Sequence, residues 1–379
     1  MSDEDLHAHL IGRQGGRRAF NTPVLVIERD ALERNIARMA EFAAGHGLKL
    51  RPHAKTHKCA EIARLQIEAG AVGACCAKLG EAEALADGGI VSGLLITSPV
   101  VSTPAIERLI ALHARTEGSM VVVDHPRNVA DLAAAARGEN PLRVLIDIDP
   151  GMHRTGVASP EAGVALLQAI RAEPALEYAG VQFYCGDLQH IEAYSERLAA
   201  MQARADDLKT VIAALAGAGG APGIVTGGGT GTHAIDVGLG VFTELQAGSY
   251  VFMDSQYGAC ALREDEAQPF ETALMVDARV VSANAPGQVT LDAGLKAFAT
   301  DAGPPIPLAG APEGSSYRFM GDEHGALVVG DAAPPPLGEM VTLAAPHCDP
   351  TVNLYDVFHV VQGDTLRALW PISGRGRGR

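Results

Sequence analysis

The sequence predicts an α/β protein, a closed (β/α)8 TIM barrel followed by a second, C-terminal antiparallel β-domain. Two features of the chain carry this. Across residues 22–257, short β-branched or apolar runs alternate with Ala-rich segments whose apolar residues recur at three- and four-residue spacing. Beyond residue 258 the helical segments give way to β-prone runs between Pro/Gly-rich loops. Sustained strand–helix alternation implies a parallel sheet, because parallel neighbours need helical crossovers.

In chain order the first part offers strands at Val24–Ile27, Lys49–His53, Ala74–Ala77, Gly93–Thr97, Met120–Val123, Arg143–Ile148, Tyr178–Phe183, Gly223–Val225 and Thr243–Ala247. If the first of these serves another domain, eight remain, the number that closes a barrel. A doubly wound open sheet is the competing layout. Between them lie helical segments such as Leu32–Ala44, Ala60–Ala69, Glu81–Asp87 and Ala193–Ala214. The second part offers Ala273–Val281, Gln288–Asp292, Gly325–Val329, Met340–Ala344 and Val357–Gln362, with Ala302–Pro307 and Ala332–Gly338 as loops. The expected division is therefore a barrel over 22–257 and a β-domain over 258–379 that also takes in 1–21.

Composition narrows the function. The 379 residues include 45 acidic and 30 basic ones, a formal charge of −15, which disfavours nucleic acid and anionic membrane as partners. The one basic run, Gly374–Arg379, reads as a frayed end. No run of about 18 apolar residues is present, so no membrane span is expected, and the acidic start lacks the order of a secretory signal. Six cysteines in so long a chain read as reduced thiols of a cytoplasmic protein.

Two motifs carry chemistry. In Lys49-Leu-Arg-Pro-His-Ala-Lys55, strand parity puts Arg51, His53 and Lys55 on one face. Lys55 falls where a strand ends and a helix begins, the rim on which barrel enzymes build their sites. Desolvation and neighbouring cations there lower a lysine's pKa and make it a nucleophile towards an aldehyde, although a basic strand–helix loop is the plain alternative. The second motif is Thr226-Gly-Gly-Gly-Thr230, directly after a strand. Successive glycine N–H groups can form a concavity for phosphate, but most Gly-rich loops are turns. It is not a dinucleotide fingerprint.

RPHAKTHK (51–58), GMHRTG (151–156), QFYCGDLQH (182–190), TGGGT (226–230), LQAGSYVFMD (245–254), GDEHG (321–325) and PHCDPTVNLY (346–355) together resemble the D-threonine aldolase and D-serine dehydratase-like family of alanine racemase-type pyridoxal phosphate enzymes. The resemblance runs in chain order over about residues 22–362. It implies a pyridoxal 5'-phosphate barrel with Lys55 as the covalent anchor and Arg154 beside the cofactor's phenolic oxygen. Thr226, Gly228, Gly229, Thr230, Gly248, Ser249 and Tyr250 correspond to the phosphate cradle and its surroundings. Gln246 stands where alanine racemases carry an arginine facing the pyridine nitrogen. A neutral amide there leaves the ring a better electron sink, which disfavours racemisation.

The resemblance also makes His347 and Asp349 a metal pair. On an extended segment they point one way and Cys348 the other. Imidazole plus carboxylate suits Mn²⁺, Mg²⁺ or Ca²⁺, and Asp349 matches the aldolase side of the family, where dehydratases carry a cysteine suited to Zn²⁺. The expected reaction is retro-aldol cleavage of β-hydroxy-D-amino acids, D-threonine giving glycine and acetaldehyde, with His190 as general base and Tyr184 positioning the base or the carbonyl. A D-serine or 3-hydroxyaspartate dehydratase and a hydroxyaspartate aldolase are the alternatives. The family also implies a homodimer. Asp322, Glu323 and His324 resemble a family loop without an assignable role.

Overall fold

The computed structural model describes residues 2–138, 140–265 and 268–379. The chain divides into two units: Ala37–Gly248 with Cys260–Pro269 and Gly376–Arg379, and Met1–Ile36 with Ser249–Ala259 and Phe270–Arg375. The first strand, β1 (Val24–Glu28), belongs to the second of these.

The first unit is the barrel. Its strands are β2 (Lys49–Leu50), β3 (Ala74–Cys76), β4 (Leu94–Ile96), β5 (Met120–Val123), β6 (Leu142–Ile148), β7 (Leu176–Phe183), β8 (Ile224–Gly227) and β9 (Glu244–Leu245), all pairing in parallel in the order β2-β9-β8-β7-β6-β5-β4-β3. A parallel bridge between His53 and Cys75 joins the two ends. There the Ala54 N–H donates to Cys75 O at 2.7 Å and the Cys75 N–H to Pro52 O at 2.8 Å. The sheet is thus a closed ring, and the open-sheet alternative falls.

Strand alternation sorts the side chains. Val121, Val123, Val144 and Ile146 pack with the surrounding helices, such as Thr103–Ala114, Pro126–Ala135 and Pro160–Arg171. Cys75, Leu95, Met120, Val122 and Leu145 form a separate inner cluster. Both faces are buried, which is why these strands read as unbroken apolar runs.

One end of the interior is closed by charge. Buried Arg51 and Glu244 pair through two hydrogen bonds, Nε to Oε2 at 2.9 Å and Nη2 to Oε1 at 3.0 Å, while Nη1 reaches the carbonyls of Val72 and Gly93. A Cβ on Gly73 would meet Gly93 O and lie 2.7 Å from the Arg51 guanidinium, so this position admits only glycine.

The second unit is mostly antiparallel. Besides β1 it contains β10 (Leu274–Ser282), β11 (Gln288–Leu291), β12 (Ile306–Ala309), β13 (Ser316–Phe319), β14 (Gly325–Val328), β15 (Met340–Ala344), β16 (Val357–Gln362) and β17 (Thr365–Pro371), in the order β13-β14-β11-β10-β1-β16-β17 with β15 pairing β10 and β12. β1 lies antiparallel to β10 and parallel to β16. Val24–Ile27 are buried on both faces as a central strand here, so the expected barrel boundary at residue 22 differs from the observed division. A salt bridge from Arg17 to buried Asp277, 2.7 Å, holds the N-terminal segment to β10.

Ile306–Ala309, partly read as loop, is a strand despite Pro307. Among the described residues it pairs only with β15, and an edge strand tolerates a residue that cannot donate. The Arg-Gly tail is not frayed: the Arg108 guanidinium donates to Arg379 O at 3.0 Å, and the tail's carbonyls lie over Gly80. All six cysteines are buried thiols, and the single tryptophan, Trp370, lies on β17.

The Arg51–Glu244 pair yields a stability prediction. Removing one partner strands a buried charge, at about 3–5 kcal/mol. Glu244→Leu should therefore lower the urea unfolding midpoint sharply, whereas Arg51→Met with Glu244→Leu should recover much of the loss. A single variant as stable as the parent would contradict the role given to the pair.

Candidate active site

The barrel strands end at a cavity of about 570 Å³. Each contributing residue sits at or just past the carboxyl end of its strand: Lys55 after β2, Lys78 after β3, Asp124 after β5, Arg154 after β6, Tyr184 after β7 and Gln246 after β9. This is the face where barrel enzymes place chemistry. Of the residues expected from sequence, Lys55, Arg154, Tyr184 and Gln246 thus share one cavity. The Arg154 guanidinium lies over the Tyr184 ring, 5.6 Å from its centre.

Lys55 is set by the turn that follows the His53–Cys75 bridge. Its N–H donates to His53 Nδ1 at 3.4 Å, so the His53 proton sits on Nε2 and is given to Thr97 Oγ1 at 3.1 Å. The Thr97 hydroxyl in turn donates to Cys76 O at 3.2 Å.

A row of buried polar side chains crosses the barrel wall at the cavity, which Gln182 and Gln246 line. Asp147 on β6 is in register with Gln182 on β7, and Gln182 with Thr226 on β8. Gln182 Nε2 donates to Asp147 Oδ1 at 2.9 Å and to Thr97 O at 3.2 Å. Gln246 Nε2 donates to Gln182 Oε1 at 3.2 Å and to Thr226 Oγ1 at 3.1 Å. Burial pushes the Asp147 carboxyl up to about 6, against the opposing pull of the Gln182 and Thr155 hydrogen bonds.

The glycine loop follows β8. Gly228 has φ +73°, and a Cβ there would strike Asp236 Oδ2; a Cβ on Gly229 would strike Gln189. The Gly229 N–H donates to Thr232 Oγ1 at 3.2 Å. Much of this loop's glycine content therefore answers to packing. After β9, a Cβ on Gly248 would lie 2.8 Å from both His53 O and Thr56 Oγ1. The Thr56 hydroxyl is buried without a hydrogen-bond partner among the described residues. An orphaned hydroxyl beside a glycine that admits no side chain fits a ligand that supplies an acceptor, as a phosphate oxygen would. His190 is half-buried just beyond the short turn Gly186–Leu188 and is not among the residues lining the cavity.

In the other unit, Ser249 is buried and its Oγ donates to Asp349 Oδ2 at 3.1 Å, while Tyr250 is fully buried with its ring against Phe270. His347 and Asp349 do not lie on one extended segment. His347 is extended at φ −143°, and a short helix, Cys348–Val352, begins at the next residue because Asp254 accepts the Cys348 N–H at 2.8 Å. Cys348 is nonetheless buried and its two neighbours half-buried. His347 Nδ1 meets Asp301 Oδ2 at 2.6 Å. A carboxylate behind an imidazole fixes the tautomer that offers Nε2 to a metal, so this donor set fits a hard or borderline divalent ion. Asp301 lies 46 positions away in a loop, and no spacing in the chain points to it.

Asp3, His7 and His359 also bring three metal-capable groups together. The hydrogen bonds there favour another reading. His7 Nε2 accepts the Asn21 N–H at 2.9 Å, so His7 carries its proton on Nδ1 and donates it to His359 Nε2 at 2.8 Å. Both His7 nitrogens and His359 Nε2 are engaged in this relay, while His359 Nδ1 is buried without a hydrogen-bond partner among the described residues, and burial pushes His359 down to about 3.

Residues 27–256 match the alanine racemase N-terminal domain and residues 273–361 a putative serine dehydratase domain. A 3-hydroxy-D-aspartate aldolase of Paracoccus denitrificans (strain Pd 1222) is 38% identical over 365 residues, covering 95% of this chain and 93% of that protein. A D-threonine aldolase of an Arthrobacter species is 39% identical over 361 residues, covering 95% and 94%. The crystal structure of D-threonine aldolase from Filomicrobium marinum superposes with a TM-score of 0.90 at 38% identity, covering 95% and 97%. Fold and site thus define an alanine racemase-type barrel of the pyridoxal phosphate class. Within that class, the chain belongs to the D-threonine aldolase and D-serine dehydratase-like family. No helix among the described residues is long and apolar enough to cross a membrane.

The loop after β8 generates a pH prediction. Burial pushes Asp236 from its ordinary 3.8 up to about 7, opposed by the Thr232 hydroxyl and the Gly229 N–H. The native state then keeps a proton that the unfolded chain has released, so this group's contribution to stability falls as pH rises through that window. Asp236→Asn removes the slope. Its advantage over the parent in urea midpoint should grow from about pH 4.5 to 7.5 and then level off; a constant difference would contradict the assignment.

Proposed function

We propose that the protein cleaves β-hydroxy-D-amino acids between Cα and Cβ in a retro-aldol reaction dependent on pyridoxal phosphate and a divalent metal. The protein is a lyase of the aldolase kind. What supports this reading above all is the gathering of Lys55, Arg154, Tyr184 and Gln246 around one cavity at the strand ends. The names of the 3-hydroxy-D-aspartate and D-threonine aldolases to which the chain is similar give the reaction class.

When bound, pyridoxal phosphate supplies a sink for the electron pair left on Cα, and a divalent ion supplies Lewis acidity towards a hydroxyl oxygen. The chain's own residues do the rest. Lys55 anchors the cofactor covalently. Arg154 holds its phenolic oxygen, and the Gly228–Thr230 loop with Thr226, Gly248, Ser249 and Tyr250 seats its phosphate end. His347 and Asp349 hold the metal, Mn²⁺ before Mg²⁺ or Ca²⁺, with Asp301 orienting the imidazole. His190 accepts the proton of the substrate's β-hydroxyl, and Tyr184 positions that base or the departing carbonyl. The working form is a homodimer.

Incubation with D-threonine or 3-hydroxy-D-aspartate, pyridoxal phosphate and Mn²⁺ should give glycine with acetaldehyde or glyoxylate, and chelator should suppress it. Ammonia with a keto acid instead would make the enzyme a dehydratase and overturn the proposal. Lys55→Ala should abolish the pyridoxyl label that borohydride leaves on the peptide containing residue 55. Asp301→Ala should weaken Mn²⁺ binding by about 10–100-fold, as loss of a carboxylate behind a ligand imidazole does; unchanged affinity by calorimetry would remove Asp301 from the metal site.

A further inference from the structure

The row Asp147–Gln182–Thr226–Gln246 has a direction. Gln182 sends one amide N–H to a main-chain carbonyl, Thr97 O, and the other to a carboxylate oxygen of Asp147. Neither partner can donate in the carboxylate form, so the Gln182 amide has a single orientation, with Oε1 facing Gln246. Gln246 must then turn its NH₂ towards Gln182, and its second N–H goes to Thr226 Oγ1. Both donors of Gln246 are used. The part of its amide left for the cavity it lines is the carbonyl oxygen, an acceptor.

We propose that Gln182, clamped by Asp147 and the Thr97 carbonyl, fixes Gln246 as a hydrogen-bond acceptor and thereby keeps the cofactor's pyridine nitrogen protonated. The inference rests on the reading above that pyridoxal phosphate binds at Lys55 with its ring nitrogen at Gln246. An acceptor facing that nitrogen stabilises N–H⁺, whereas a neutral ring would set two lone pairs against each other. A protonated ring withdraws electrons more strongly and suits cleavage that leaves a full pair on Cα.

All four side chains are at least nine-tenths buried, so bulk water does not compete for these hydrogen bonds. The charged groups facing Asp147 are Asp124 and Arg154, of opposite sign. Gln182 lines the cavity beside Gln246, but towards the ring nitrogen it and Asp147 act through Gln246 and are positioning residues.

The test reads the nitrogen itself. The protein is loaded with pyridoxal phosphate carrying ¹⁵N in the ring, and the ¹⁵N resonance is followed at neutral pH in the parent, Gln182→Met and Gln246→Glu. The parent should resonate at the pyridinium position. Gln182→Met frees the Gln246 amide to turn over and should move the resonance towards neutral pyridine. Gln246→Glu retains an acceptor and should hold the pyridinium position, which separates polarity from mere disruption. A neutral-pyridine signal in the parent, or one unmoved in Gln182→Met, would overturn the inference while the cofactor reading stood. Failure of any ring signal to differ from the unbound cofactor, with no borohydride label on the Lys55 peptide, would sink the cofactor reading instead. Should Gln182→Met fail to fold, the parent resonance alone still decides.

Discussion

The buried pair of Arg51 and Glu244 is the constraint on which the barrel's chemistry depends. It lies at the seam where the first barrel strand meets the last, and its guanidinium also reaches the main-chain carbonyls of Val72 and Gly93. Because Arg51 must point inward to make these bonds, strand parity turns His53 inward as well. His53 then forms the bridge to Cys75, and the turn beyond it carries Lys55 to the strand-end cavity. A one-residue slip would send the guanidinium into the helical layer and Lys55 away from the opening. The energetic interest of a buried ion pair is usually specificity of arrangement more than net stability, and here the arrangement it specifies is the register of the reactive strand.

The same economy governs the polar interior. Apolar residues fill the body of the ring, but the row nearest the cavity is Asp147, Gln182 and Thr226, one from each of three successive strands. Fully connected, such a row orders its members. Burial raises the Asp147 carboxyl, and the hydrogen bonds from Gln182 and Thr155 offset that only in part.

How much of this the chain disclosed depended on whether each feature was local. Strand and helix alternation are local, and every expected barrel strand is present, most with their ends within two residues of those observed. The position of Lys55 just past a strand end was local and legible, but the turn beyond His53, not strand parity, carries it to the cavity. The strand Ile306–Ala309 was hidden because Pro307 reads as a breaker until its edge position is known. The helix at Cys348 was hidden because the group that starts it, Asp254, is 94 positions away. Asp301 and the direction of the Gln182 amide were illegible for the same reason: each is defined by a partner brought near only by the fold.

The placement of two residue types divides the molecule optically and chemically. Trp370 is the sole indole and belongs to the antiparallel-rich unit, while five of the six thiols (Cys59, Cys75, Cys76, Cys185 and Cys260) belong to the barrel unit. Tryptophan fluorescence therefore watches the antiparallel-rich unit melt, and alkylation by a thiol-specific reagent watches mainly the barrel unit. Divergence between the two signals in one titration would measure how far the units unfold independently.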